Sequence, residues 1–223
     1  MVAFRCKKTF AEVSLYMLIF RKIIDILIVL IFKPNKETKK IVILGRKESG
    51  KTELWSRLGA KLDVTSEKRT SVQPVSEFTI SKNAKTVTVS ETKDIGGGDD
   101  WVSTYDELIS KDTFIYYLIN GHEFEKKSSF KEIKSQIEKI SRCIKGQENC
   151  GLKILITHFD EINITEQELK QKIKQKLENK ITNLILKGVK QKITQFLDNN
   201  VDFVNLLDEK DINKIKDEIL EAL

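Results

Sequence analysis

The residues best equipped for chemistry are Gly45, Arg46, Lys47, Glu48, Ser49, Gly50, Lys51 and Thr52, which come directly after the apolar residues 41–44. They match G-x-x-x-x-G-K-[ST], a loop that binds phosphate groups. Its glycines let successive backbone N–H groups turn inward on phosphate oxygens. Lys51 supplies a cation for the β- and γ-phosphates, and the Thr52 hydroxyl is a hard ligand for Mg²⁺. The surroundings are those the motif requires. Residues 41–44 read Ile-Val-Ile-Leu, as a buried strand does, and Leu54, Trp55, Leu58 and Leu62 recur at helical spacing after the loop.

A second group lies at residues 94–101, Asp-Ile-Gly-Gly-Gly-Asp-Asp-Trp. Asp94 closes a β-branched stretch, and an aspartate at a strand tip can hold a metal through water. Gly97, three places on, can offer its backbone N–H to a γ-phosphate.

These groups need a scaffold that brings strand ends together, and the rest of the chain predicts one. Residues 77–80 and 85–92 read as a hairpin around the polar residues 81–84. Residues 113–119, 153–157 and 201–206 read as further strands. Between them, Ser129 with Glu132 forms a capping box for a helix running to about Ile144, and Thr165 with Glu168 forms another. Leu169, Ile173, Leu177, Ile181 and Leu184 continue the second of these at helical spacing, with a break near Gly188. Ile212, Ile215, Ile219, Leu220 and Leu223 mark a closing amphipathic helix. Such alternation predicts an α/β fold of three layers, a mostly parallel sheet with helices on both faces. Residues 61–75 are polar and unpatterned, a loop beside the phosphate site.

At 223 residues the chain suits one such domain, taken as residues 41–223, with an appendage at 1–33 and a charged linker at 34–40. Residues 13–32 are nearly all apolar, about the length of a bilayer span. Arg21, Lys22 and Asp25 interrupt them, each costing roughly 2.5–3.5 kcal/mol at a span's centre. The stretch therefore fits an interfacial anchor, a helix packed on a partner, a span or an ordinary core helix. Val2 excludes N-myristoylation. The 39 basic and 33 acidic residues leave a net charge of +6, which gives little ground for nucleic acid as a partner and is consistent with a surface near anionic lipid. Cys6, Cys143 and Cys150 have no metal-binding spacing and an odd count, which points to a reducing, cytoplasmic setting.

In motif order and spacing, residues 40–223 resemble the small GTPases. Asp94-Ile95-Gly96-Gly97 with Trp101 is most similar to the Arf branch and the signal-recognition-particle receptor β-subunit, which carries an amino-terminal membrane anchor. The resemblance implies the three-layer fold of the phosphate-loop NTPases, with GTP or GDP and Mg²⁺ as ligands. It also implies a switch between two loop arrangements, read by an effector or an activating protein. By it, Thr70 is the Mg²⁺-binding threonine of the first switch, beside Thr52 and Asp94, and Gly97 belongs to the second. Thr157, His158 and Asp160 stand where the family has Asn-Lys-x-Asp, so Asp160 would accept two hydrogen bonds from guanine. Asn205 and Leu206 stand where it has Ser-Ala.

Two departures matter. His158 replaces a lysine whose stem lies along the base, and Gly98 stands where many members carry the glutamine that orients the attacking water. Slow intrinsic GTP hydrolysis is the expectation. Two other classes stay open. One is an interaction module that holds nucleotide without useful turnover; the other is a phosphate-loop ATPase or kinase, whose arginine-rich lid would have only Arg57 and Arg69 to draw on before the hairpin.

Overall fold

The computed structural model describes residues 37–62, 72–83, 85–160, 165–178, 183–186, 189–192 and 199–221. The chain divides between Lys36 and Glu37, and all described residues belong to the second unit. Residues 13–32 and Thr70 lie outside the described residues. Among those that are described, no helix is long and apolar enough to cross a membrane.

Six strands form the main sheet. Their spatial order is β10 (Val201–Phe203), β7 (Gly151–Thr157), β6 (Thr113–Asn120), β1 (Glu37–Gly45), β4 (Lys85–Val89) and β3 (Phe78–Lys82). All neighbours are parallel except β3 and β4, the predicted hairpin, which are antiparallel. Two short pairs flank the sheet: β2 (Gln73–Val75) with β5 (Thr92–Asp94), and β8 (Asn183–Leu186) with β9 (Val189–Lys192).

Side chains of the central strands alternate between two cores, because a strand presents successive residues to opposite faces. Val42 and Leu44 of β1, with Ile115, Tyr117 and Ile119 of β6, pack on one face. That face is covered by α2 (Tyr105–Leu108), α3 (Lys127–Ile144) and α4 (Glu166–Glu178), through residues such as Leu108, Ile137 and Ile173. Ile41 and Ile43, with Tyr116 and Leu118, face the other way. There α1 (Lys51–Leu58) and α5 (Glu209–Glu221) supply Leu54, Trp55, Ile212, Ile215 and Ile219. The fold is therefore α/β in three layers, and β-strands buried on both sides account for the continuous apolar runs in β1, β6 and β7. Because these strands are parallel, their carboxyl ends gather at one edge.

Several boundaries differ from the sequence reading. The linker was expected to reach residue 40, yet β1 starts at Glu37. Glu37, Thr38 and Lys39 pair with Val87, Thr88 and Val89, and Lys40 donates to the Ser110 hydroxyl at 2.8 Å. Ladder hydrogen bonds override a polar sequence there. The expected strand at 201–206 ends at Phe203. The helix predicted to run from Thr165 through Leu184 ends at Glu178 in the described residues, and Leu184 lies in the β8–β9 hairpin. An apolar run of Leu184-Ile185-Leu186 close before Gly188 fits a strand as well as it fits helical spacing, and tertiary pairing decides.

The two capping boxes also part ways. Thr165 and Glu168 exchange the reciprocal bonds expected, Thr165 N donating to Glu168 Oε2 at 3.0 Å and Glu168 N to Thr165 Oγ1 at 3.2 Å. Ser129 and Glu132 do not, because α3 begins at Lys127, three residues before a helix capped by Ser129 would start. The Ser129 hydroxyl instead meets Glu123, and Glu132 pairs with Arg46 of the loop Gly45–Thr52.

Candidate functional site

The loop Gly45–Thr52 joins the end of β1 to the start of α1. Gly50 precedes the helix at φ 86°, a left-handed conformation open to glycine at little cost, and a Cβ there would fall on the Leu206 side chain. Glycine is thus required twice over at that position. Ser49 and Lys51 are buried, at 0% and 7% exposure.

Neighbouring strand ends hold the loop's carbonyl groups. Asn120 Nδ2, at the end of β6, donates to Glu48 O at 3.2 Å. Thr157 Oγ1, at the end of β7, donates to Ser49 O at 3.0 Å. In a trans peptide the N–H points opposite to the C=O, so these bonds aim the Ser49 and Gly50 amides away from the sheet-edge side chains. That is how a chain assembles a row of anion-binding N–H groups. Lys51 Nζ donates to Arg46 O at 2.8 Å.

Asp94 ends β5 beneath this loop and accepts from Thr52 Oγ1 at 2.7 Å. Its second oxygen, Oδ1, is buried and has no hydrogen-bond partner among the described residues; the same is true of Ser49 Oγ. Burial raises the Asp94 pKa, against the Thr52 bond and the Lys51 charge, which lower it. Burial also pushes Lys51 down to about 8, which the Asp94 charge only partly offsets. A buried lysine and a buried aspartate with an unmet oxygen beside a hydroxyl form a site whose charges call for a ligand, and hard oxygen donors are the set that Mg²⁺ takes.

Gly97 rests directly on the Arg46–Lys47 peptide, and a Cβ at 97 would fall on the Lys47 amide nitrogen. Gly98 is exposed, with open space around the position of a Cβ and an extended backbone, φ −78° and ψ 160°. Trp101 packs against Gly96.

Across the edge, β7 and β10 bring Asp160 and Asn205 together, with Asn205 Nδ2 donating to Asp160 Oδ2 at 3.2 Å. Phe159 and Phe203 stack edge to face at 5.6 Å and pin the 158–160 turn to β10. His158 sits at φ 55° with Nδ1 3.0 Å from Thr157 Oγ1. Asn205 is braced by its own turn, Leu207 N donating to Asn205 Oδ1 at 2.9 Å, and by Asp211, which accepts from Asn205 N at 2.8 Å. Leu206 reaches the loop at Gly50, which ties the two ends of the site together.

Every sequence-predicted site residue that is described therefore lies at this sheet edge: Gly45, Arg46, Lys47, Glu48, Ser49, Gly50, Lys51, Thr52, Asp94, Gly97, Thr157, His158, Asp160, Asn205 and Leu206. Thr70 lies outside the described residues. Sequence reasoning missed Asn120, Glu123 and Glu132. Asn120 had a signal, being an Asn-Gly step at a strand end; Glu123 and Glu132 had none in a chain so rich in Lys and Glu. Glu123, in the 3-10 turn Gly121–Glu125, and Glu132, on α3, both pair with the Arg46 guanidinium, Glu132 at 2.6 Å. Burial works to raise the Glu123 pKa, but the Ser129 hydroxyl, Arg46 and Lys126 outweigh it and hold the carboxyl below its usual range.

The chain is similar to solved structures that share this architecture. One is the Arl6 (BBS3) small GTPase from Trypanosoma brucei with bound GppNp, at TM-score 0.51 and 15% identity, over 83% of this chain and 96% of that one. That structure has the same three-layer α/β fold, a mostly parallel sheet with helices on both faces. Two longer proteins contain the same fold. Methanosarcina barkeri Roco2 RocCORdC bound to GDP matches at TM-score 0.50 and 14% identity over 85% of this chain. A bacterial selenocysteine-specific elongation factor, EF-Sec, matches at 0.55 and 14% over 84%. The chain spans 50% of the Roco2 chain and 29% of the EF-Sec chain. No family model and no curated protein sequence matches it.

Proposed function

We propose that this protein binds a guanine nucleotide and acts as a slow, nucleotide-dependent switch, associated with a membrane through residues 13–32. The observation that carries the reading is the meeting, at one sheet edge, of buried Lys51, the Thr52–Asp94 pair and the Asp160–Asn205 pair. Support also comes from two similar structures, which hold GDP and GppNp. In this reading the Gly45–Thr52 amides and Lys51 hold the phosphates. Asp160 accepts from the guanine ring N–H and exocyclic amine, a donor pair adenine lacks. Mg²⁺ would be held by Thr52, Thr70 and, through water, Asp94, and would supply positive charge against the β- and γ-phosphates. Thr70 and Gly97 are the proposed contacts through which two loops respond to the γ-phosphate, changing the surface shown to an effector.

Titrating the full chain with labelled GTP, GDP and ATP in Mg²⁺ tests the assignment. Selective, tight guanine binding is expected, and equal binding of ATP would overturn the base assignment. Hydrolysis is expected to be slow, because Gly98 has no side chain to orient the attacking water. The open space and ordinary backbone there would accept one. Gly98→Gln is therefore expected to raise single-turnover GTP hydrolysis by roughly tenfold or more, within the range of a positioned catalytic group. An unchanged rate would favour the second reading, an interaction module in which the nucleotide is a structural ligand.

A further inference from the structure

Arg46 connects three parts of the loop's surroundings. Its guanidinium forks onto Glu123 and Glu132, its carbonyl accepts from Lys51 Nζ, and its peptide to Lys47 is the surface on which Gly97 rests. The carboxylates are themselves anchored: Glu123 takes the Ser129 hydroxyl and Lys126 Nζ at 3.3 Å, and Glu132 belongs to the well-packed helix α3. Asn120, three residues before Glu123, holds the Glu48 carbonyl. The segment from Asn120 to Glu132 thus grips the loop at two points.

The charges decide what Arg46 is doing there. Arg46 and Lys126 against Glu123 and Glu132 make a balanced cluster, with two cations matched by two anions. The Arg46 side chain is 20% exposed, and a planar fork engaged by two carboxylates is geometrically fixed. As a balanced cluster it brings no net formal charge to the loop. What it can transmit is position.

We propose that the Arg46–Glu123–Glu132 cluster is a positioning device that fixes the γ-phosphate end of the loop and so sets the discrimination between nucleoside triphosphate and diphosphate. The proposal rests on the nucleotide-binding reading above. With the Arg46–Lys47 peptide clamped from α3, the loop cannot yield to a third phosphate, and Gly97 is the element that must move. A loosened peptide would shift in its place, and the triphosphate would lose its defined seat while the diphosphate kept Lys51 and the Gly50 side of the loop.

The test is the affinity of the full chain for GDP and for GppNp, in wild type, Arg46→Ala, Arg46→Lys and Glu123→Gln/Glu132→Gln. The alanine and double-glutamine variants are expected to lose at least tenfold in GppNp affinity and less than threefold in GDP affinity. Arg46→Lys, which keeps the charge without the fork, should fall between; it and the double variant carry the test if the alanine variant does not fold. Equal losses for both nucleotides, or an unchanged ratio, would overturn the proposal and leave nucleotide binding intact. Tighter GppNp binding in the double-glutamine variant would also overturn it, because Arg46 would then be a phosphate ligand that the glutamates restrain. A wild-type chain that binds neither nucleotide would remove the nucleotide reading, and the proposal with it.

Discussion

At the proposed phosphate end of the site, Ser49, Lys51 and Asp94 are at most 7% exposed, whereas at the proposed base end Asp160 is exposed and His158 and Asn205 are half-buried. The first end is a set of buried charges and unmet oxygens whose desolvation has been accepted without full compensation inside the chain. The second is a set of polar side chains that satisfy one another and water. Binding strength should therefore reside in the phosphate end and selectivity in the base end, with much smaller energies attached to the latter.

Lys51→Ala is the strongest way to break this contrast. It removes the buried cation proposed to meet the β- and γ-phosphates, and nucleotide affinity should fall by about a hundredfold or more in a fluorescence titration. Retained binding would mean that the buried charges are structural. At the base end, Asp160→Ala should spare overall binding more and cost roughly 1–3 kcal/mol of the preference for GTP over ATP, as paired base-edge contacts do. Competition titrations read that ratio directly.

Proton linkage sharpens the comparison. The lowered Lys51 pKa, about 8, belongs to the ligand-free chain. Bound phosphate favours the charged form, so binding must take up a proton wherever Lys51 is neutral. Affinity should be level below pH 8 and fall about tenfold between pH 7 and pH 9, and Lys51→Ala should abolish that slope. His158→Lys should be the smallest change, a gain of about threefold or less, because an added ammonium at a half-buried position contributes little and a lysine at φ 55° is mildly strained. A tenfold effect would place a larger share of the affinity at the base end than its exposure allows.

How much could be read in advance follows the same division. The strand–loop–helix setting of Gly45–Thr52 was legible because glycine, lysine and threonine at that spacing follow an apolar run and precede a helical one. Thr165 with Glu168 was legible because a capping box is a local bargain between residues three apart. Ser129 with Glu132 carried the same local pattern and lost it because α3 starts earlier, leaving Ser129 to meet Glu123 and Glu132 to pair with Arg46. The β8–β9 hairpin was misread for a related reason: short apolar runs fit either period, and pairing across the sheet is not written in a single segment.

The sequence by itself determined the layer architecture, the order of the strands' motifs and the residue types at the phosphate end, because hydrophobic periodicity and backbone conformation are local properties. Only the tertiary structure decided that Asn120 and Thr157 turn the loop's carbonyls, that Gly97 lies on the Arg46–Lys47 peptide, and that Asp160 meets Asn205. Those contacts join residues 45 or more positions apart, and the ones made from the ends of β6, β7 and β10 form because parallel strands buried on both faces must end at a common edge.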